Sequence, residues 1–367
     1  MGYTQAGLNY LMAAVKAGID FNILPLGGPV GVKGWDSLPP WAYPVRMASG
    51  ATGVSRAVAL LHYTPDALAD TKFPKPGTKN IGLTVTETDI IPRWIAKGME
   101  RNLDGLIVPT EWNARAFKDS GFGGPIEVVP HCIGEWWWNS QPVVSKDPEK
   151  LVYYYIGGWN PRKAPVDVLR AYLNAFPEPN GKTVLAMKVT GSASLLPYVD
   201  QMCRDKRGVG LDECEDINFW CETWSEGQIR WLHSIGDVYV SAHRGEGWGL
   251  GLHQAKLLNK RVIYTGWSAP TEFLGEQHGD IPVDHTMVPV SGMDQHRHFD
   301  TMDDEVLRWA QPEMDDLVDA LYFALKTYEA SGPEGFPAFS ETELQAYRNT
   351  YSWETVGAQL RTALGSF

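Results

Sequence analysis

The segment Ser241-Ala-His-Arg-Gly-Glu-Gly-Trp-Gly-Leu-Gly-Leu-His-Gln-Ala255 follows an apolar run, Asp237–Ser241, and opens a helical pattern. Gly247, Gly249 and Gly251 let a backbone approach closely. The helix that follows offers unpaired N–H groups and a partial positive charge to an anion. Glu246, just before the turn, suits hydrogen bonds from sugar hydroxyls. Gln254, eight residues on, is expected to face the same side. Glycine count alone fits equally well a turn that only packs helix on strand. No Gly-Lys-Ser/Thr follows, so this is not a Walker loop. A second segment, Ile156-Gly-Gly-Trp-Asn-Pro-Arg-Lys163, also follows an apolar run and places Arg162 and Lys163 at the carboxyl edge of the same sheet. Two cations there suit a diphosphate, although a solvated turn would read the same way.

Around these segments, short apolar runs alternate with helical patterns. In the first half the runs are Val58–Tyr63, Ile81–Val85, Leu106–Val108 and Ile126–Val129, with a further strand expected at Ile19–Leu24. Leu8, Leu11, Met12 and Val15 share one face of an opening helix. Thr110 is the expected N-cap, and Gly121 the stop, of another helix. Asn139–Lys150 reads as a linker. The second series holds Leu151–Ile156, Thr183–Val189, Asp216–Trp220, Asp237–Ser241 and Arg261–Tyr264, with helices over Val166–Phe176, Met314–Thr327 and from Ser352 onward. Strands separated by helices indicate parallel βαβ units. The expected organisation is two doubly wound Rossmann-like α/β domains facing across a cleft: residues 1–140, residues 150–345, and a closing helix over 350–367.

Composition narrows the function. The chain has 367 residues, 44% hydrophobic and 21% charged, enough for two well-packed domains. Its net charge of −12 argues against tight sequence-independent binding to nucleic acid or to an anionic membrane. No run of 18 apolar residues suggests a transmembrane helix, and no basic region ahead of an apolar stretch suggests a secretory signal. Cys132, Cys203, Cys214 and Cys221 form no C-x-x-C pair, which points to a reducing, cytoplasmic setting.

Six short segments, in order, resemble the retaining GT-B glycosyltransferases known as "glycosyl transferases group 1". Thr86-Glu-Thr-Asp-Ile-Ile-Pro92 is similar to the family's W-E-T-D-x-x-P, with Thr86 in the Trp position. Val108-Pro-Thr-Glu-Trp-Asn113 resembles V-P-S-x-W/F-N. Val128-Val-Pro-His-Cys-Ile133 resembles V-V-P-H-G-I/V, with Cys132 for Gly. Pro161-Arg-Lys163 matches the P-R-K/R-K-G element, Glu246-Gly-Trp-Gly-Leu250 matches E-G-F/W-G-L, and Tyr351-Ser-Trp-Glu354 matches the start of a last helix that crosses back to the first domain. The resemblance covers most of the chain.

It implies a hexosyltransferase-like enzyme that moves a sugar from a nucleoside-diphosphate sugar, with UDP and GDP both open, to a glycan, lipid-linked or small-molecule acceptor. Retention, and no cofactor or bound metal, are implied with it. Lys163 would pair with the diphosphate, aided by Arg162, and the N–H groups around Gly247, Gly249 and Leu250 would hold a phosphate. Glu246 would contact the transferred sugar, and Gln254 stands where a Glu binds the ribose. Gly2 and Tyr3 resemble a glycine loop near the donor phosphates. Glu87 and Asp89 could orient the acceptor or cap the next helix. Two departures are visible: Gly157, Gly158 and Trp159 replace a phosphate-binding Arg, and the family's first strand has no counterpart ahead of Gly2. The sheet is then expected either to close up or to be completed by an upstream extension.

Other candidates are Trp35 and Trp41, in a Pro/Gly-rich stretch, for acceptor contact, and Trp136–Trp138, for sugar stacking or packing. Asp294, His296, His298 and Asp300 alternate and could ligate a metal, but their polar surroundings read as loop. Alternatives to a general sugar transferase are one acting on modified DNA bases, and a GT-B protein that binds nucleotide sugar without catalysis.

Overall fold

The computed structural model describes residues 2–21, 40–42, 44, 58–70, 79–294, 296–301, 305–332, 334 and 336–367. Trp35 lies outside these residues, as does the second half, 22–24, of the expected strand at 19–24.

The first half is built on a four-stranded, wholly parallel sheet. Its strands are β1 (Val58–His62), β2 (Lys79–Leu83), β3 (Gly105–Val108) and β4 (Ile126–Val128), in spatial order β1-β2-β3-β4. Each pairs directly with the next, so the described sheet has closed up without a gap. Helices Pro65–Asp70, Arg93–Asn102 and Glu111–Asp119 cover one face, burying Leu68, Ile95, Met99 and Phe117 against Leu106 and Val108. Helix Glu111–Asp119 starts where the sequence indicates. The Thr110 side chain accepts from the Asn113 N–H, and Gly121 follows the end at φ +90°, a left-handed conformation that glycine adopts without strain.

The other face is covered by the first and last helices of the chain. Helix Gly2–Lys16 and helix Trp353–Ser366 pack Tyr10, Ala13, Ala14, Val356, Leu360 and Ala363 onto Ile81, Leu83 and Ile107. The crossing back of the C-terminal helix is thereby observed. Two expectations for the N-terminus need correction. Gly2–Thr4 is not a loop but the first turn of the helix, and Ile19–Phe21 is coil rather than strand. Of the expected Leu8, Leu11, Met12 and Val15 stripe only Met12 is buried, and the buried face is rotated toward Ala6, Tyr10, Ala13 and Ala14. The close crossing of the two helices explains this: a Cβ on Gly357 would stand 2.3 Å from the Ala13 carbonyl oxygen, so small residues must face each other there.

The second half carries a six-stranded parallel sheet of β5 (Leu151–Gly158), β6 (Thr183–Thr190), β7 (Ile217–Trp220), β8 (Val238–Ser241), β9 (Arg261–Thr265) and β10 (Ile281–Val283). The spatial order is β10-β9-β8-β5-β6-β7. Strand order therefore reverses between β5 and β8, and the crevice beyond their carboxyl ends is where open α/β sheets bind ligands. Helices Pro165–Ala175, Leu196–Arg207 and Met314–Ser331 bury one face, and Glu226–Ile235 and Leu250–Leu257 the other. An antiparallel pair, β11 (His285–Pro289) with β12 (Arg308–Pro312), projects from this half. No described helix is long and apolar enough to cross a membrane.

Candidate active site

The two quoted segments are the loops that leave β5 and β8, so the strand-order reversal brings them together. The Arg244 N–H donates to the Arg162 carbonyl at 2.7 Å, locking one loop to the other. Asn160 Oδ1 accepts from the Lys163 N–H at 2.9 Å and shapes the turn that presents both cations. The helix Leu250–Leu257 begins at Gly249, which sits at φ +92° and supplies no side-chain cap, leaving the first N–H groups of the helix for another acceptor.

The opposing wall comes from the loop after β2. Here Gly245 and Gly247 of the 241–255 segment meet a partner the sequence did not name. A Cβ on Gly245 would lie 1.9 Å from the Glu87 carbonyl oxygen, and one on Gly247 would lie 2.4 Å from Val85 Cβ. These glycines let the two halves of the molecule touch backbone to backbone. Asn113 reinforces the contact: its Oδ1 accepts from the Thr86 N–H at 2.8 Å, and its Nδ2 donates to the Gly247 carbonyl at 2.8 Å. Glu272 of the second half accepts from the N–H groups of Glu111 and Trp112 at 3.0 and 2.5 Å, a carboxylate at a helix N-terminus.

Between the walls lies a cavity of about 410 Å³. Glu87, Arg162, Lys163, Glu246, Gly247, Gly249 and Leu250 all line it, so most of the expected site residues converge. Their charges interlock. Arg162 donates to Glu87 at 2.9 Å and to Glu246 at 3.2 Å, and Lys163 Nζ pairs with the other oxygen of Glu246. Burial alone would raise the Glu246 carboxyl, but Lys163 and Arg162 hold it down to about 2. Burial opposes the Arg162 charge as well, and Glu87 and Glu246 overcome it, raising its pKa. His243, buried beneath the turn, is lowered to about 4 by burial.

The remaining expected residues lie elsewhere. Gln254 is buried along helix Leu250–Leu257 and does not line the cavity, and its carbonyl accepts from Trp137 Nε1 at 3.2 Å. Asp89 neither caps helix Arg93–Asn102 nor lines the cavity. Its Oδ1 accepts from the Arg308 N–H at 2.8 Å, so it ties the first half to β12, and burial raises its pKa. Trp41, expected on the acceptor side, stacks on Trp136 with ring centroids 4.9 Å apart, in a cluster with Trp353. Among the described residues no group of three or more His, Cys, Asp or Glu is arranged to hold a metal ion. His131, His296, His298, Phe299 and Met293 also line the cavity. Of these, the sequence had marked His296 and His298 only through their alternation with acidic residues, which does not reveal a shared cavity.

No protein-family model matches the chain, and no curated protein matches its sequence. Solved structures do match. A point mutant of S. aureus TarM, in complex with Fondaparinux, alpha-GlcNAc-glycerol and UDP, superposes with TM-score 0.57 at 12% identity, over 83% of this chain and 54% of TarM. This chain therefore spans about half the length of that relative. A sucrose-phosphate synthase from Thermosynechococcus elongatus gives TM-score 0.58 at 11% identity over 80% and 68% of the two chains. HepE of Anabaena, in complex with UDP and glucose, gives 0.56 at 12% over 79% and 72%. At these identities the likeness establishes the fold, which is GT-B: two Rossmann-like halves facing across a cleft.

Proposed function

We propose that this protein is a glycosyltransferase that moves a sugar from a nucleoside-diphosphate sugar to a hydroxyl-bearing acceptor, with retention and without a bound metal. The observation that carries the reading is the convergence, at the β5/β8 strand-order reversal, of Arg162, Lys163 and the uncapped helix start at Leu250, with Glu246 between the cations and Glu87 opposite. Sugar transfer passes through an oxocarbenium-like state while negative charge builds on the departing diphosphate. Fixed cations and helix-end N–H groups aimed at that charge stabilise it, usually the largest catalytic contribution. Glu246, ionised down to about pH 2, is suited to the sugar ring beside them.

Donor binding falls to residues 150–345, and acceptor binding to residues 1–140 with the returning helix. UDP is the first nucleotide to test, because it is bound in the TarM and HepE structures. Four free, buried cysteines support a cytoplasmic setting. The test is incubation with UDP-glucose and with a GDP-sugar, following nucleotide release. Release of UDP or GDP supports the reading. Thermal stabilisation by nucleotide without any release would show a binding protein instead.

A further inference from the structure

The β11–β12 pair has a consequence for chemistry on the other side of the cleft. Its connection leaves the second half and is fastened to the first half at several points. Arg297 pairs with Asp70 at 2.6 Å, Arg93 with Glu305 at 3.0 Å, and Trp94 Nε1 donates to the Asp300 carbonyl at 2.8 Å. Arg308 and Asp89 exchange two further bonds, at 2.8 and 3.1 Å. Fastened this way, the short turn Arg297–Phe299 projects His298 into the cavity.

The surroundings of that ring are specific. Nδ1 faces Asp66 Oδ1 at 3.9 Å, and Nε2 faces Glu87 Oε2 at 3.8 Å. Asp66 Oδ1 is buried and has no hydrogen-bond partner among the described residues, an oxygen that asks for a donor. A carboxylate at Nδ1 fixes the tautomer that leaves Nε2 free to accept a proton and stabilises the imidazolium that results. Such bonds often shorten only once the reacting groups are in place. An oxygen about 2.8 Å from both Nε2 and Glu87 Oε2 fits the 3.8 Å span between them at ordinary hydrogen-bond lengths. Glu87 itself is already engaged, because Arg162 holds its other oxygen at 2.9 Å.

We propose that His298, oriented by Asp66, is the base that receives the acceptor's proton. This rests on the glycosyltransferase reading. The acceptor oxygen forms the new bond to the anomeric carbon, and the bond from that carbon to the donor phosphate breaks. The bonding pair stays on the departing phosphate oxygen beside Lys163 and Arg162, while the hydroxyl proton passes to His298 Nε2. Glu87 links base and leaving group, touching Arg162 with one oxygen and approaching His298 with the other. Attack and departure then share one face, so this single displacement retains the anomeric configuration. The charged and titratable groups around the ring are Asp66 from helix Pro65–Asp70, Glu87 from the loop after β2, His296 on its own turn and Arg162 from the loop after β5. Burial lowers the ring's pKa, and the two carboxylates oppose it.

UDP-glucose hydrolysis tests the proposal without knowledge of the acceptor, since water must give up its proton at the same place. Wild type, His298→Ala, His298→Gln and Asp66→Asn are compared for UDP affinity by calorimetry and for the pH profile of hydrolysis. Expected are wild-type UDP affinity throughout and hydrolysis slowed about 100-fold in both His298 variants. Their profile should lack the acid limb of the wild type, and Asp66→Asn should show a smaller loss with that limb displaced. His298→Gln with the wild-type rate and profile would overturn the proposal. A wild type that neither binds UDP nor cleaves UDP-glucose would instead overturn the reading beneath it, and the proposal with it.

Discussion

Glu246 lies between two cations, and its behaviour can be separated from theirs. Lys163→Ala removes a charge aimed at the departing diphosphate; transfer is expected to slow by about 100-fold or more with the fold intact. A wild-type rate would put the diphosphate elsewhere. Glu246→Gln should cripple transfer yet leave UDP affinity equal or tighter, because it releases Lys163 and Arg162. Loss of UDP binding in that variant would make Glu246 a nucleotide ligand. The carboxylate also links stability to pH. Its folded pKa of about 2 lies below the unfolded value of about 4.3. Its contribution is therefore fully present above the unfolded value and disappears as pH falls toward 2. Melting temperature should drop less steeply between about pH 4.5 and 2.5 in Glu246→Gln than in wild type, and parallel curves would refute the pairing. Sequence marked Glu246, Lys163 and Arg162 through residue type and position after a strand. It could not show that Glu246 pairs with both cations, nor that Asp66 and His298 meet, because each contact joins residues far apart in the chain.

At the level of elements, the 241–255 turn has two duties. Its glycines admit an anion to the helix end, and Gly245 and Gly247 also admit the backbone of the 85–88 loop. Gly245→Ala must push the halves apart, since its Cβ would fall 1.9 Å from a carbonyl oxygen that cannot rotate away. UDP-glucose turnover should fall by about two orders of magnitude, as expected when reacting groups are displaced by an ångström. Gly227→Ala, whose nearest neighbour would be Ser225 Oγ at 3.9 Å, should leave turnover unchanged. Equal effects of the two substitutions would deny the close approach. The nine strands β1–β9 were legible because each is a short apolar run bounded by turn residues. The β11–β12 pair was not: each strand ends in proline, and their long polar connection carries no hairpin signal. The buried face of the first helix was misjudged for a different reason. Its partner is the last helix, and the tight crossing selects alanines over the leucines that periodicity favours.

Across the whole molecule, the last helix makes the first half depend on the far end of the chain. Leu360 is buried against the β2–β3 face, Trp353 Nε1 donates to Asn9 at 2.8 Å, and Lys16 pairs with Glu354 at 2.8 Å. Leu360→Ala is expected to cost about 2–5 kcal/mol. Hydrogen exchange should speed up in β2, β3 and helix Gly2–Lys16 while β5, β6 and β8 keep their protection, and uniform loosening of both sheets would contradict the separate cores. The two-half GT-B plan itself was readable from the alternation of strands and helices and the order of six short segments; the contact surfaces between the halves were not, since no local pattern encodes them. The central claim, that the β5/β8 reversal forms a nucleoside-diphosphate site, is tested most directly by calorimetric titration of UDP, and then GDP, into wild type and Lys163→Ala. Expected is one saturable site in the wild type, weakened at least about 10-fold in the variant by loss of a charge-assisted contact. Absence of binding by both nucleotides, or equal affinity in the two proteins, would contradict it.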